Sequence, residues 1–264
     1  MNVSNVASTG KPKVTWKAVD GAEKYQVYRA ASKTGTYSLL LTTTGLTCIN
    51  TGAKVGETYY YKVRAIGFDG KAGPFSSIKY RTCDCARPVV TSGNNASTGK
   101  ITLKWSAIDG AKSYEVYRST SLDGTYTKLI TTTYTSLTNT STKAGETYYY
   151  KVKAICTSTA GADSGYSKVV SRTCDCAAPV VKIALSNGKP RLTWDKVDGA
   201  TSYVIYRATT ANGTYSKLFT TSGTSMTNTG AVSGKTYYYK VVAVSSRTTA
   251  ATSAYSNVVH ILSK

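Results

Sequence analysis

The sequence predicts an all-β chain of three tandem antiparallel sandwiches, and three observations carry that expectation. Trp16, Trp105 and Trp194 stand 89 residues apart, and the tyrosine triplets ending at Tyr61, Tyr150 and Tyr239 keep the same period, so one unit fills the 264 residues three times. Within each unit, short runs of alternating apolar and polar residues are cut by turn dipeptides, with no ten-residue helical pattern between them. The composition agrees: Tyr numbers 22 and Phe 3, and threonine recurs throughout, which suits a pleated, half-buried surface. Apolar residues at 41% and charged residues at 17% leave enough side chain for real cores and exclude a disordered basic tail. Five prolines exclude collagen-like and proline-rich classes, and no apolar run is long enough to cross a membrane as a helix.

In the first copy the expected strands cover residues 3–6, 14–19, 25–29, 37–42, 46–50, 59–66 and 76–80. Asp20-Gly21, Thr34-Gly35, Gly52, Gly56 and Asp69-Gly70 separate them, and Asp123-Gly124 and Asn212-Gly213 mark the third turn in the later copies. Along Tyr59, Tyr60, Tyr61, Lys62, Val63, Arg64 and Ala65 the two-residue period sends Tyr59, Tyr61, Val63 and Ala65 to the core and Tyr60, Lys62 and Arg64 outward. Cys48 stands where the other copies have Leu137 and Met226, and reads as a small buried hydrophobe.

The single Trp on the second strand, the Tyr-x-Val or Tyr-x-Ile third strand and the Gly-x-Thr-Tyr-Tyr-Tyr-Lys-Val sixth strand resemble fibronectin type III domains, in particular those strung along surface and secreted proteins of Gram-positive bacteria. The resemblance covers nearly the whole chain, three times. It implies immunoglobulin-like sandwiches of seven strands in sheets of three and four, no catalytic residue and no cofactor. It also implies that Tyr59, Tyr148 and Tyr237 are tyrosine corners, buried rings whose hydroxyls bond to nearby backbone.

After the last strand of copies one and two comes Arg-Thr-Cys-Asp-Cys-Ala-x-Pro-Val-Val, which sets domains at 1–87, 88–177 and 178–264. Linkers this short stack neighbours as an elongated rod. The edges of the chain fall at domain edges, so the expectation is a segment of a longer secreted or cell-surface protein.

Five cysteines attend the joints: Cys83 and Cys85 in the first linker, Cys174 and Cys176 in the second, and Cys156 at the end of a sixth strand. Disulfides at the joints, a structural metal, and free or intermolecular thiols are the alternatives. The metal ranks last, since zinc wants four ligands, the two pairs lie a domain apart and the chain has one histidine, His260. Tracing the strands brings Cys156 back to the pole that faces Cys83 and Cys85, where a bridge would staple domain one to domain two. Ser245 holds the corresponding place in copy three, so Cys174 and Cys176 have no such partner.

No catalytic constellation survives. A Ser-His-Asp or Cys-His set would need His260 on the final strand, and Asp20, Asp109 and Asp198 sit in Asp-Gly turns where a backbone reason suffices. The charge is more telling: Lys and Arg number 33 against 13 Asp and Glu, a formal +20 spread over all three copies. Such a charge suits polyanions, with cell-wall polymers and host glycans ahead of nucleic acid, for which no module is present. The candidate binding face is the outward side of the third and sixth strands, carrying Tyr28, Tyr60, Lys62 and Arg64 in copy one. Copy two has Tyr117, Tyr149, Lys151 and Lys153 there, and copy three Tyr206, Tyr238 and Lys240. Cross-strand Tyr and Lys pairs also stabilise an exposed sheet unaided. The loops at 69–73, 157–165 and 246–253 differ between copies and hold no Arg-Gly-Asp for a surface-protein partner of that kind. The expected function is a non-catalytic spacer and adhesion segment; the alternative is a glycan- or polyanion-binding module that targets an enzyme elsewhere in the parent.

Overall fold

The computed structural model describes residues 1–156, 162–245 and 251–264. The first unit contributes β1 (Asn2–Asn5), β2 (Pro12–Thr15), β3 (Ala22–Ala30), β4 (Ser38–Thr43), β5 (Thr47–Ile49), β6 (Thr58–Gly67) and β7 (Lys79–Thr82). The second contributes β8 (Val90–Asn94), β9 (Ile101–Trp105), β10 (Ser113–Ser119), β11 (Thr127–Thr132), β12 (Ser136–Asn139), β13 (Thr147–Ile155) and β14 (Val170–Thr173). The third contributes β15 (Val181–Ser186), β16 (Lys189–Trp194), β17 (Ser202–Ala208), β18 (Ser216–Thr221), β19 (Ser225–Thr227), β20 (Thr236–Val244) and β21 (Val259–Leu262).

In every unit a three-stranded sheet, first strand to second to fifth, opposes a four-stranded sheet, fourth to third to sixth to seventh, and every pairing is antiparallel. The chain is therefore an all-β tandem of seven-stranded sandwiches, and among the described residues no helix forms. The alternation seen in sequence sets the core. In β13 and β20 every second residue is buried, with Tyr150, Val152 and Ala154 or Tyr239, Val241 and Ala243 fully enclosed. The tyrosine hydroxyls need partners in that interior. Buried Asn50, Asn139 and Asn228 donate to Tyr61, Tyr150 and Tyr239 at 2.9, 2.9 and 2.8 Å. Burial nonetheless pushes the Tyr61 and Tyr150 hydroxyls up to about 12. The next hydroxyls along, Tyr59, Tyr148 and Tyr237, accept the backbone N–H of Lys54, Lys143 and Val232 at 3.1 to 3.2 Å, which is a tyrosine corner in each copy. Cys48 is buried at 3% exposure in the first core.

The bounds expected for the seventh strand need adjustment. The seventh strand begins at Lys79, three residues later than the pattern suggests, because Ser76 bonds β6 with its side chain. Its hydroxyl accepts from Val63 N–H at 3.1 Å while its own N–H reaches Val63 O, so no strand ladder forms there. Ser167 and Ser256 repeat the device against Val152 and Val241. Of the two long loops between sixth and seventh strands, 157–161 and 246–250 lie outside the described residues.

The chain exposes 14224 Å². A compact monomer of 28.1 kDa would expose about 11,000 Å². The excess fits small sandwiches set in a row. Small-angle scattering of the full chain is expected to give a radius of gyration well above the compact value of about 18 Å, and a result at that value would overturn the rod.

Candidate functional site: an aromatic and lysine face with two stitched joints

The outward residues of the third and sixth strands meet as register requires. Tyr28 lies opposite Lys62, Tyr117 opposite Lys151 and Tyr206 opposite Lys240. A bulge falls between Val27 and Tyr28, between Val116 and Tyr117, and between Ile205 and Tyr206, so each of these tyrosines is aimed by the same local twist. Lys62 Nζ sits 4.1 Å from the Phe75 ring centroid and 4.5 Å from that of Tyr37. Lys151 has Tyr166 at 4.1 Å and Tyr126 at 4.4 Å, and Lys240 has Tyr255 at 3.6 Å and Tyr215 at 4.3 Å. Every copy thus holds one lysine between two rings. The rings in turn meet edge to face, Tyr28 with Phe75, Tyr117 with Tyr166 and Tyr206 with Tyr255, at 5.2 to 5.5 Å. Tyr60 packs on Tyr80 at 5.5 Å and Tyr238 stacks on His260 at 5.2 Å, while Tyr149 faces Ser171.

The remaining candidate positions form one cross-strand pair with three different chemistries. Gln26 opposes Arg64 and accepts its Nε–H at 2.9 Å. Glu115 opposes Lys153, which makes its ion pair with Asp163 at 3.0 Å, and Glu115 itself receives Tyr117 Oη–H at 2.7 Å and Lys128 Nζ at 3.1 Å. The Tyr117 bond holds the Glu115 carboxyl below its ordinary range and the Tyr117 hydroxyl above its own. Val204 opposes Val242 in the third copy. Changing both partners together is what cross-strand packing demands, since either alone would leave a mismatched neighbour.

The joints are the second feature. Cys83 is tied to the first unit, its N–H to Glu57 O and its carbonyl to Gly56 N, both at 2.9 Å. Asp84 N–H follows to Gly10 O at 3.0 Å, and the next N–H, of Cys85, already bonds Ala162 O of the second unit at 3.0 Å. Arg87 N–H returns to Ala7 O at 2.9 Å. Nothing free remains between the two attachments. On its near side the second joint repeats the pattern, with Cys174 on Glu146 and Gly145, Asp175 on Gly99 and Ala178 on Ser97, and across the joint it is the Cys176 thiol that reaches Ala251 O, at 3.5 Å. Gly10 and Gly99 have φ of +69° and +68°, and a Cβ on either would meet the Asp84 or Asp175 carbonyl inside contact distance, so both positions require glycine. Val55 of the first unit packs on the second core beside Gly110, and Ala144 of the second on the third core beside Gly199.

Core membership changes at Asp84 and Asp175: Cys85 belongs to the second core and Cys176 to the third. Cys85 is bonded to Cys156, with Cα atoms 6.2 Å apart. The bridge therefore holds the linker on the second sandwich and does not bolt two sandwiches together, because Cys85 has already crossed the joint. Cys83, Cys174 and Cys176 are free and buried, and burial pushes the Cys176 thiol up to about 11. Among the described residues no group of three or more His, Cys, Asp or Glu gathers as a metal site. Sequence reasoning missed the ring partners Tyr37, Phe75 and their counterparts, and the lysines Lys11, Lys100 and Lys189, which cap the Ala53, Thr142 and Ala231 carbonyls. The 89-residue period marks the three lysines and Tyr37 with its counterparts, whereas Phe75 and Tyr166 stand 91 residues apart and escape it.

Sheets of three and four in this order, with a tyrosine corner before each sixth-strand core residue, decide the family. The three units are fibronectin type III domains. No protein-family model matches the chain. Over 90% of its length it is 30% identical to Exoglucanase B of Cellulomonas fimi, of which it spans 22%. A further 41% identity covers 22% of the chain and 5% of an Amylopullulanase of Thermoanaerobacterium saccharolyticum. Among solved structures, the chicken CNTN1 FN1-FN3 domains align with all of the chain and 97% of theirs at 16% identity and a TM-score of 0.31. An Fn3-like protein from Clostridium thermocellum is 34% identical over 33% of this chain and 90% of its own, with a TM-score of 0.30.

Two outcomes follow for these fibronectin type III domains. Lys151→Ala removes a cation held by two rings and is expected to cost about 1 kcal/mol by denaturant unfolding, against almost nothing for Lys112→Ala on an exposed turn. Equal effects would mean the ring contacts contribute no stability. Ser245→Cys is expected to pair with Cys176 as Cys156 pairs with Cys85; recovery of both as free thiols in non-reducing peptide maps would show that the two joints differ in geometry.

Proposed function

We propose that the chain is a stiff, non-catalytic spacer within a secreted, extracellular bacterial protein, holding its neighbours at a fixed separation and serving adhesion by reach. The observation that carries this reading is the joint, where consecutive N–H groups of Asp84 and Cys85 bond to different domains. A linker without a free residue resists bending, since any hinge motion must break backbone hydrogen bonds. The relatives support it: the aligned regions occupy 22% and 5% of an exoglucanase and an amylopullulanase. On this reading the ring-held lysines keep the outer sheet ordered without a ligand.

A second reading, a glycan- or polyanion-binding face, is favoured by the charge of +20, of which few cations are neutralised: five ion pairs occur among the described residues. Cell-wall polymers and acidic host glycans are its candidate partners.

Dyes on Ser32→Cys and Asn212→Cys, both at exposed turns, test the spacer by single-molecule energy transfer. A single narrow distance distribution is expected, broadened by a Gly-Ser insertion after Asp84. A native distribution as broad as that of the insertion variant would overturn the reading. Saturable heparin binding lost in a combined Lys62→Ser, Lys151→Ser and Lys240→Ser variant would favour the second reading instead.

A further inference from the structure

We infer that the first domain carries a contact surface for a second copy of this chain, at the sheet edge formed by β4 and β5, an inference independent of the spacer reading. β4 pairs only with β3 and β5 only with β2, so both are edge strands. On the far side of the sandwich Asn5 Nδ2 of β1 donates to Thr82 O of β7 at 2.8 Å and draws the two sheets together, which leaves β4 and β5 on the open side. An edge strand offers unpaired N–H and C=O groups to any strand that approaches, and proteins blunt such edges with bulges and with charged side chains, lysine above all. All three domains keep the bulge, with Leu40, Leu129 and Leu218 as the extra residue. The lysine differs. Lys128 and Lys217 stand opposite Tyr117 and Tyr206, where the first domain has Leu39 opposite Tyr28.

The neighbours of Leu39 follow it. Leu39 is 51% exposed, Leu41 39%, Leu46 40% and Ile49 43%. At the places of Leu46 and Ile49 the second domain has Thr135 and Thr138, and the third Thr224 and Thr227. From Thr34 to Ala53 no residue is charged, in a chain where 17% are. The edge flanks the rod and is not a place where domains meet: Ile130 and Phe219, at the position of Leu41, stay 41% and 53% exposed although each of their domains follows another. Charge identifies the occupant. An acidic partner would gain from lysine at this edge, and the first domain lacks it; a leucine there instead admits a surface that is itself basic. Across a two-fold, residues near the axis meet their own counterparts, so a lysine would face a lysine while Leu39 and Leu41 face apolar surface. An antiparallel approach of β4 to β4 is self-complementary in backbone groups as well. With the bulge retained and one short strand a side, the contact is small and belongs to the weak, transient class.

Sedimentation velocity of the full chain, from about 5 µM to about 1 mM at physiological salt, tests the contact. The weight-average mass is expected to rise from that of one chain toward that of two, with half association at about 100 µM or above. Association is expected to strengthen in about 0.5 M salt, where repulsion between chains of charge +20 is screened. Leu39→Lys, which installs the residue that the other domains carry, is expected to weaken it about tenfold or more. Should that variant fail to fold by circular dichroism, Ile49→Thr, again the residue of the other domains, is expected to weaken it about threefold. Hydrogen exchange is expected to show protection of residues 38–43 growing with concentration while 127–132 and 216–221 stay unchanged. A monomer at every concentration, association unchanged in the folded variants, association weakened by salt, or protection gained away from this edge would each overturn the proposal. None of these results bears on joint stiffness.

Discussion

The two-residue alternation of the sixth strand is the constraint on which each domain rests. In Tyr-Tyr-Tyr-Lys-Val one set of side chains builds the core and the other builds the outer face, so a shift of one residue would exchange the two. The buried set fixes the strand through polar handles: Asn50 ties the Tyr61 hydroxyl inside the sandwich, and the Lys54 N–H ties that of Tyr59 at the corner. With the strand fixed, Lys62 has one place to go, between Phe75 and Tyr37. The outer face follows from the inner one.

Much of this was legible in the sequence. The Trp period, the turn dipeptides and the triplet of tyrosines located the strands and the corner. That the rings meet the lysines was not legible, because Tyr37 and Phe75 come from loops whose path no local pattern fixes, even where the residue itself recurs. The start of β7 was misplaced because Ser76 looks like a strand residue and acts through its hydroxyl. The crossing of Asp84 over Gly10 was hidden for a different reason: seventy-odd residues separate the two, and a glycine after Ser-Thr reads as an ordinary turn.

Divergence between the copies separates what the fold requires from what it tolerates. The lysine between rings, the buried asparagine and the hairpin glycine recur in all three domains. The pair at Gln26 and Arg64 becomes Glu115 and Lys153, then Val204 and Val242, without disturbing the register. A sheet that accepts a hydrogen bond, an ion-pair neighbour or two valines at one site does not depend on charge there.

The Cys85 to Cys156 bridge has a mechanical meaning. Tension along the backbone enters the second domain at Cys85 and crosses directly to Cys156, so the intervening chain, 71 residues in sequence separation, carries no load. At about 3.3 to 3.6 Å per extended residue, some 240 Å of slack stays locked however hard the ends are pulled. The first and third domains have no such shunt across their corresponding strands, where Gly67 and Ser245 stand. Under flow or traction the bridged stretch of the second domain stays closed, and lengthening draws on the first and third domains and on the part of the second that follows Cys156.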